Sequence, residues 1–150
     1  MSPKRKMAQA EGGVCYCTAL RKASRRISQM YDAALVPSGL KITQRAILAQ
    51  LNRSGPASVS ALAEAMVMDA GGLAHTLKPL DRDGFVRISV DPNDRRSRLL
   101  SLTSAGIGKL KETEALWDTA QQGFEDAFGR KESALLHKLM SQLSSGQFAE

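Results

Sequence analysis

The sequence predicts a mainly α-helical chain that carries one small β-hairpin. Three observations point there. Apolar residues recur every three or four positions over most of the chain, the spacing of one helix face. Between Phe85 and Val90 the period falls to two, and the turn cluster Asp91-Pro92-Asn93-Asp94 follows. Helical spacing returns after Thr103 and runs to Leu143.

At 150 residues the chain is sized for one compact domain with a modest core. Residues 1–13, with Pro3, the Lys4-Arg5-Lys6 run and Gly12-Gly13, are expected to form a flexible basic tail before a single domain over residues 14–150. No apolar run is long enough to span a bilayer, and the N-terminus lacks a secretory apolar core. A cytoplasmic protein with no membrane partner is therefore expected. The formal net charge is +6, with 16 Lys/Arg against 8 Asp/Glu in residues 1–100 and 5 against 7 in residues 101–150. A polyanion partner, most simply nucleic acid, explains that asymmetry, and a solvated basic surface explains it equally well.

Taken in order, Cys17, Leu20, Ser24, Ile27, Tyr31 and Leu35 share one face of a first helix, with Arg21, Lys22, Arg25 and Arg26 opposite. It should stop before Pro37 and Gly39. Thr43 is the expected N-cap of a second helix through Ile47, Leu48 and Leu51, ended by Gly55-Pro56. Ser58 caps a short third helix with Leu62, Ala63 and Met66. Asp69 caps a fourth that buries Leu73, Leu77 and Leu80 and stops at Gly84. Pro79 lies inside it, and a kink is expected there. Phe85, Val86, Ile88 and Val90 alternate as a strand, and Leu99-Leu100-Ser101-Leu102 reads as the returning one. Thr103 caps a long helix through Ile107, Leu110, Trp117, Phe124 and Phe128. A last helix over roughly residues 132–143 is apolar across a wide face at Leu135, Leu136, Leu139, Met140 and Leu143.

Two short helices joined by a tight turn and followed by a hairpin make a winged helix-turn-helix. Such a second helix fits a major groove, and the hairpin reaches phosphates or the minor groove. The hairpin tip is read as Asp94-Arg95-Arg96-Ser97-Arg98, with Arg87 at its base. Three arginines on an exposed turn have little packing value, which favours nucleic-acid contact. No catalytic constellation is present: the two His lack partners at useful spacing, and there is no phosphate loop or Ser-centred elbow. No metal or cofactor is expected. Cys15 and Cys17 are too close for an ordinary structural disulfide and too few for a metal site.

The stretch from Asp91 to Gly106, an acidic-basic tip running into Leu102-Thr103-Ser104-Ala105-Gly106, resembles the wing signature of the MarR family of bacterial regulators. Leu77-Lys78-Pro79-Leu80-Asp81-Arg82-Asp83-Gly84-Phe85-Val86 resembles that family's exit from the recognition helix. The resemblance implies a DNA-binding lobe at about residues 43–103 and dimerisation helices at about residues 14–36 and 104–146. It further implies a homodimer on a pseudo-palindromic operator in double-stranded DNA, usually repressing, released by a small aromatic or phenolic ligand or by thiol oxidation. A winged helix that only binds protein is the remaining alternative.

By the same resemblance Arg96 matches the minor-groove arginine of the wing and Asp94 the acid that orients it, with Arg95 and Arg98 adding phosphate contacts. The recognition helix departs from the family pattern at Ala70, Gly71, Gly72 and Ala74. Its groove-facing donors are then His75, Thr76 and Lys78, together with the backbone opened by Gly71 and Gly72. Glycines inside a helix cost roughly 1 kcal/mol each. Val67 stands at a turn position where relatives often carry Gly. Cys17, eight residues before Arg25 and fourteen before Tyr31, resembles the peroxide-sensing branch, although Arg21 replaces that branch's other tyrosine. The plain alternative for Cys17 is buried packing.

Overall fold

The computed structural model describes residues 13–147. The tail expected over residues 1–13 lies outside them, apart from Gly13. Contacts divide the chain between Met30 and Tyr31. Helix α1 (Tyr16–Leu35) starts in the first unit, where Leu20 and Ile27 are exposed beside exposed Arg21, Lys22, Arg25 and Arg26. Cys15 is its N-cap: its carbonyl accepts from the Ala19 amide at 3.0 Å and its sulfur from the Thr18 amide at 3.4 Å.

In the second unit, Tyr31 and Leu35 are buried. The helix stops before Pro37 as expected, at Leu35, and the chain then tightens into a 3-10 turn, Val36–Ser38, closed by Gly39 at φ +76°. Ser38 Oγ donates to the Leu35 carbonyl at 2.7 Å and accepts from the Leu40 amide at 3.1 Å, satisfying groups the helix end would orphan. Helix α2 (Ile42–Ser54) begins one residue before the expected cap. Lys41, not Thr43, is the N-cap. The cap is built from other residues: the Lys41 amide donates to Gln44 Oε1 at 2.8 Å and the Ile42 amide to Asp32 Oδ1 at 2.7 Å.

Ser58 and Asp69 cap as expected. Ser58 Oγ accepts from the Ala61 amide at the start of α3 (Val59–Met66), and Asp69 Oδ2 from the Gly72 amide at the start of α4 (Ala70–Arg82). α4 continues through Pro79 to Arg82, and Gly84 at φ +78° turns the chain into β2 (Val86–Asp91).

The sheet has three antiparallel strands in the order β1-β3-β2. β1 (Ala57–Ser58) is two residues long, too short for any period to reveal. It pairs with Leu99 and Leu100 of β3 (Asp94–Leu102). Ile47, Leu48, Leu51, Leu62, Leu73, Leu80, Val86 and Leu100 are almost wholly buried in one core beneath the sheet. The base of the hairpin is fixed by Thr103. Its hydroxyl donates to the Gly84 carbonyl at 2.6 Å and accepts from the Gly106 amide at 3.0 Å, while its amide donates to the Phe85 carbonyl. Gly106 has no room for a side chain, because a Cβ would overlap the Phe85 carbonyl and lie 2.6 Å from Leu102 Cδ1.

The single long helix expected after Thr103 is two helices, α5 (Ser104–Glu112) and α6 (Glu114–Phe128), separated at Thr113. The cause is local. Thr113 is fully buried, its hydroxyl donates to the Leu110 carbonyl at 2.7 Å, and its amide is shared between Lys109 and Leu110. Helix α7 (Arg130–Ser144) follows Gly129 and buries no residue, leaving Leu135, Leu139, Met140 and Leu143 exposed. No described helix is long and apolar enough to cross a membrane.

Candidate nucleic-acid interface

Helices α3 and α4 are joined by Val67-Met68-Asp69, with Val67 at φ +51°, ψ 45°. It is the one non-glycine residue with positive φ among the described residues. A left-handed residue here lets the Val67 amide reach the Glu64 carbonyl at 3.1 Å and the Met68 amide reach Ala63 at 2.9 Å, closing α3 and turning the chain at once. Val67 stands where the resemblance to the MarR family implies a Gly.

Leu73, Leu77 and Leu80 hold α4 to the core, so the residues between them look outward. Gly71, His75 and Lys78, spaced i, i+4, i+7, are all exposed on one face, with half-buried Gly72 and Thr76 beside them. Two of the expected groove donors are already engaged. The Gly72 amide serves the Asp69 cap, and a Cβ at Gly72 would lie 2.8 Å from Asp69 Oδ1, so a larger residue there would shift the capping carboxylate. Thr76 Oγ1 donates to the Gly72 carbonyl at 3.0 Å. The outward face is thus left with Gly71, His75 and Lys78.

The hairpin corrects one expectation. Its turn is the two-residue Pro92-Asn93, and the arginines belong to strand β3 rather than to the turn. The Asp91 carboxylate accepts from the Asn93 amide at 2.9 Å, so Asp91 and Asp94 pair directly across the turn. The next pair in the ladder is Val90 with Arg98. Arg95, Arg96 and Ser97 therefore have no opposite residue and bulge from the strand. Arg87, Arg95, Arg96 and Arg98 are all exposed, and among the described residues none has a carboxylate in ion-pair range. Asp94 Oδ1 accepts from the Arg96 amide at 3.0 Å. The acid thus fixes the backbone of the bulge rather than the Arg96 guanidinium. Arg82, at the end of α4, is held by Asp83 at 3.0 Å, and that hydrogen bond lowers the Asp83 carboxyl from its ordinary range.

Away from the wing, Cys15 and Cys17 are both exposed, so Cys17 is not packed as a small apolar residue within the chain. Hydrogen bonds from the Thr18 hydroxyl, at 3.2 Å, and then from its amide pull the Cys15 thiol below its usual range. The Tyr31 hydroxyl donates to Gln121 Oε1, and burial, with Glu125 nearby, raises its pKa. Reading the sequence missed Arg45, which is only 9% exposed. Its Nε donates to Thr113 Oγ1 at 3.0 Å, and its guanidinium carbon lies 4.6 Å from the centre of the Trp117 ring. A signal was present, since Arg45 precedes Leu48 by three residues on the buried stripe of α2. Among the described residues no group of three or more His, Cys, Asp or Glu could hold a metal.

Comparison with known proteins agrees with this geometry. The sequence profile of the MarR family matches residues 40–97, from just before α2 through the helix-turn-helix to the wing bulge. The chain is 28% identical over 134 residues to the HTH-type transcriptional repressor NicR of Pseudomonas putida, covering 87% of this chain and 83% of that protein. The transcriptional regulator MosR of M. tuberculosis, solved in complex with DNA, superposes with a TM-score of 0.80 at 29% identity over 91% of this chain and 98% of that one. BpsR of Bordetella bronchiseptica, solved to explain regulation of its DNA binding by 6-hydroxynicotinic acid, superposes with a TM-score of 0.78 at 22% identity over 89% and 95% of the two chains. A winged helix-turn-helix with a strained turn, a capped second helix and an arginine bulge on its hairpin is matched by the MarR-family profile over that very segment, and over most of its length the chain is similar to DNA-binding transcriptional regulators of that family.

Proposed function

We propose that the chain is a cytoplasmic, ligand-responsive repressor that binds a pseudo-palindromic operator as a homodimer. The observation that carries the reading is the bulge at Arg95–Ser97. Unpaired, exposed guanidinium groups held out by a backbone that Asp94 stiffens form a contact surface for a polyanion. Arg96 enters the minor groove, Arg95 and Arg98 meet phosphates, and α4 offers Gly71, His75 and Lys78 to the major groove, with Gly72 and Thr76 shaping the helix beneath them. The single arginine of α4, Arg82, lies at its C-terminal end and is held by Asp83, so much of the specificity comes from DNA shape read by the wing.

Dimerisation is supported by α7, where Leu135, Leu139, Met140 and Leu143 are 38–57% exposed on one helix, and by the exposed Leu20 and Ile27 of α1. A small aromatic ligand as the releasing signal is supported by BpsR, whose DNA binding is regulated by 6-hydroxynicotinic acid. A second reading, release by thiol oxidation at Cys17 or Cys15, is supported by the exposure of both thiols and by the Thr18 hydrogen bonds that lower the Cys15 pKa.

Genome-wide mapping of bound DNA tests the reading. It should return inverted repeats with half-site centres about 10 base pairs apart, or a multiple of that. Enrichment without a repeat, or none at all, would leave a winged helix that binds protein.

A further inference from the structure

On the outward face of α4, His75 is the side chain of a type that changes its charge near neutral pH. It is exposed, with exposed Gly71 one turn before it and exposed Ala74 beside it. Leu73 and Leu77 point into the core, so the imidazole projects from a stretch with no other long outward side chain until Lys78.

Among the described residues His75 has no carboxylate in ion-pair range. The elements packed against α4 are α2, α3 and β2. Their charged residues are Arg45 and Arg53, Glu64, and Arg87 and Asp91, respectively. The first three line the cleft between α2 and the turn at Val67, and the last two belong to the hairpin. On α4 itself Asp69 caps the helix start, Asp81 lies off the outward face and Arg82 is held by Asp83. Lys78 is the charged residue within one turn of His75.

A neutral imidazole has one N–H donor and one lone pair on its other ring nitrogen, whereas the protonated ring has two donors. In the major groove guanine presents two acceptors, N7 and O6, and the flanking strands present phosphate oxygens. Against such partners the lone pair of the neutral ring is repelled, and the imidazolium donates from both nitrogens. Adenine differs, because its amino group donates and can meet the lone pair. A proton taken up together with the DNA therefore favours guanine over adenine.

We propose that His75 is a specificity-determining residue that reads guanine as the imidazolium, so that operator binding takes up a proton at each subunit. This deepens the operator-binding reading and rests on it. The bound state then holds more protons than the free state, so affinity rises as the pH falls. The wing arginines keep their charge throughout, so the pH dependence belongs to α4.

The chain has two histidines, His75 and His137, and His137 is exposed on α7. Operator affinity is measured at constant ionic strength between about pH 6 and pH 8, where imidazole titrates. The proteins are the full-length wild type, His75→Gln, His75→Lys and His137→Gln. A charged contact that gains about tenfold per subunit gives a dimer roughly a hundredfold between its neutral and charged forms. The wild type should therefore bind at least about tenfold tighter at the acid end of that range. His137→Gln should match it, while His75→Gln, without a titrating group, and His75→Lys, with a permanent charge, should bind independently of pH. Dimethyl sulfate, which methylates guanine N7, should find a guanine in each half-site protected by the wild type and open with His75→Gln. An affinity that does not change with pH, a pH dependence that survives His75→Gln, or the same guanines protected by both proteins would overturn the proposal. In each of those results the operator is still bound and the reading beneath stands, whereas no binding at any pH would remove both.

Discussion

Replacing Val67 by Gly should stabilise the protein. The backbone at Val67 is left-handed, at φ +51°, ψ 45°, where a β-branched side chain meets its own carbonyl and costs roughly 1–2 kcal/mol. The side chain is 70% exposed, so little apolar burial is lost on removing it. Against the relief stands the greater freedom of glycine in the unfolded chain, about 0.5–1 kcal/mol. The balance is a gain of about 0.5–1 kcal/mol, or roughly 1–4 °C in Tm for a chain of this size. Val67→Pro is the control. Proline cannot adopt positive φ and removes the amide that bonds the Glu64 carbonyl, so it should cost about 3 kcal/mol or more. Thermal melts followed by far-UV circular dichroism, at one protein concentration because a dimer melts with mass action, measure both variants. A Tm for Val67→Gly below that of the wild type would show that the valine contributes packing that outweighs its strain, and would refute the reasoning.

Three further outcomes follow from named contacts. Gly106→Ala should destabilise by about 1–3 kcal/mol in the same melts, since the added methyl meets the Phe85 carbonyl and Leu102 at the hinge of the wing. Site-resolved alkylation across a pH series should place the Cys15 midpoint below that of an ordinary thiol. Thr18→Ala, which removes the leading hydrogen bond to the sulfur, should move it upward. Leu139→Glu, on the exposed face of α7, should shift sedimentation toward monomer relative to the wild type, because in the proposed homodimer two-fold symmetry would set the new charges against an apolar seam.

Much of this fold was legible because it rests on local rules. Ser58 and Asp69 cap through their own side chains, and Leu73, Leu77 and Leu80 repeat at helix spacing, so short windows contain the signal. What escaped depends on residues distant in sequence or on strands too short to show a period. The start of α2 is set by Asp32, ten residues upstream, which no window around Thr43 can show. The break between α5 and α6 follows from Thr113 being buried against Arg45, sixty-eight residues away, whereas the apolar positions alone run smoothly across it. The wing arginines were found by composition and misplaced by register: only the pairing of Asp91 with Asp94 shows that they bulge from β3 and that Asp94 bonds a backbone amide. On α4 the residue types were visible, but the prior engagement of Gly72 and Thr76 within the helix was not.

The proposed function requires that the wing arginines bind DNA through their charge. The measurement is operator affinity against salt for the wild type and for Arg96→Ala, between 50 and 200 mM. Each phosphate charge neutralised contributes a slope of about −0.9 in log K against log salt, and a dimer carries Arg96 twice. The variant should therefore lose about 1.8 from the slope, so that its deficit in affinity shrinks about twelvefold across that fourfold range of salt. Parallel lines for the two proteins, or equal affinity throughout, would contradict the account.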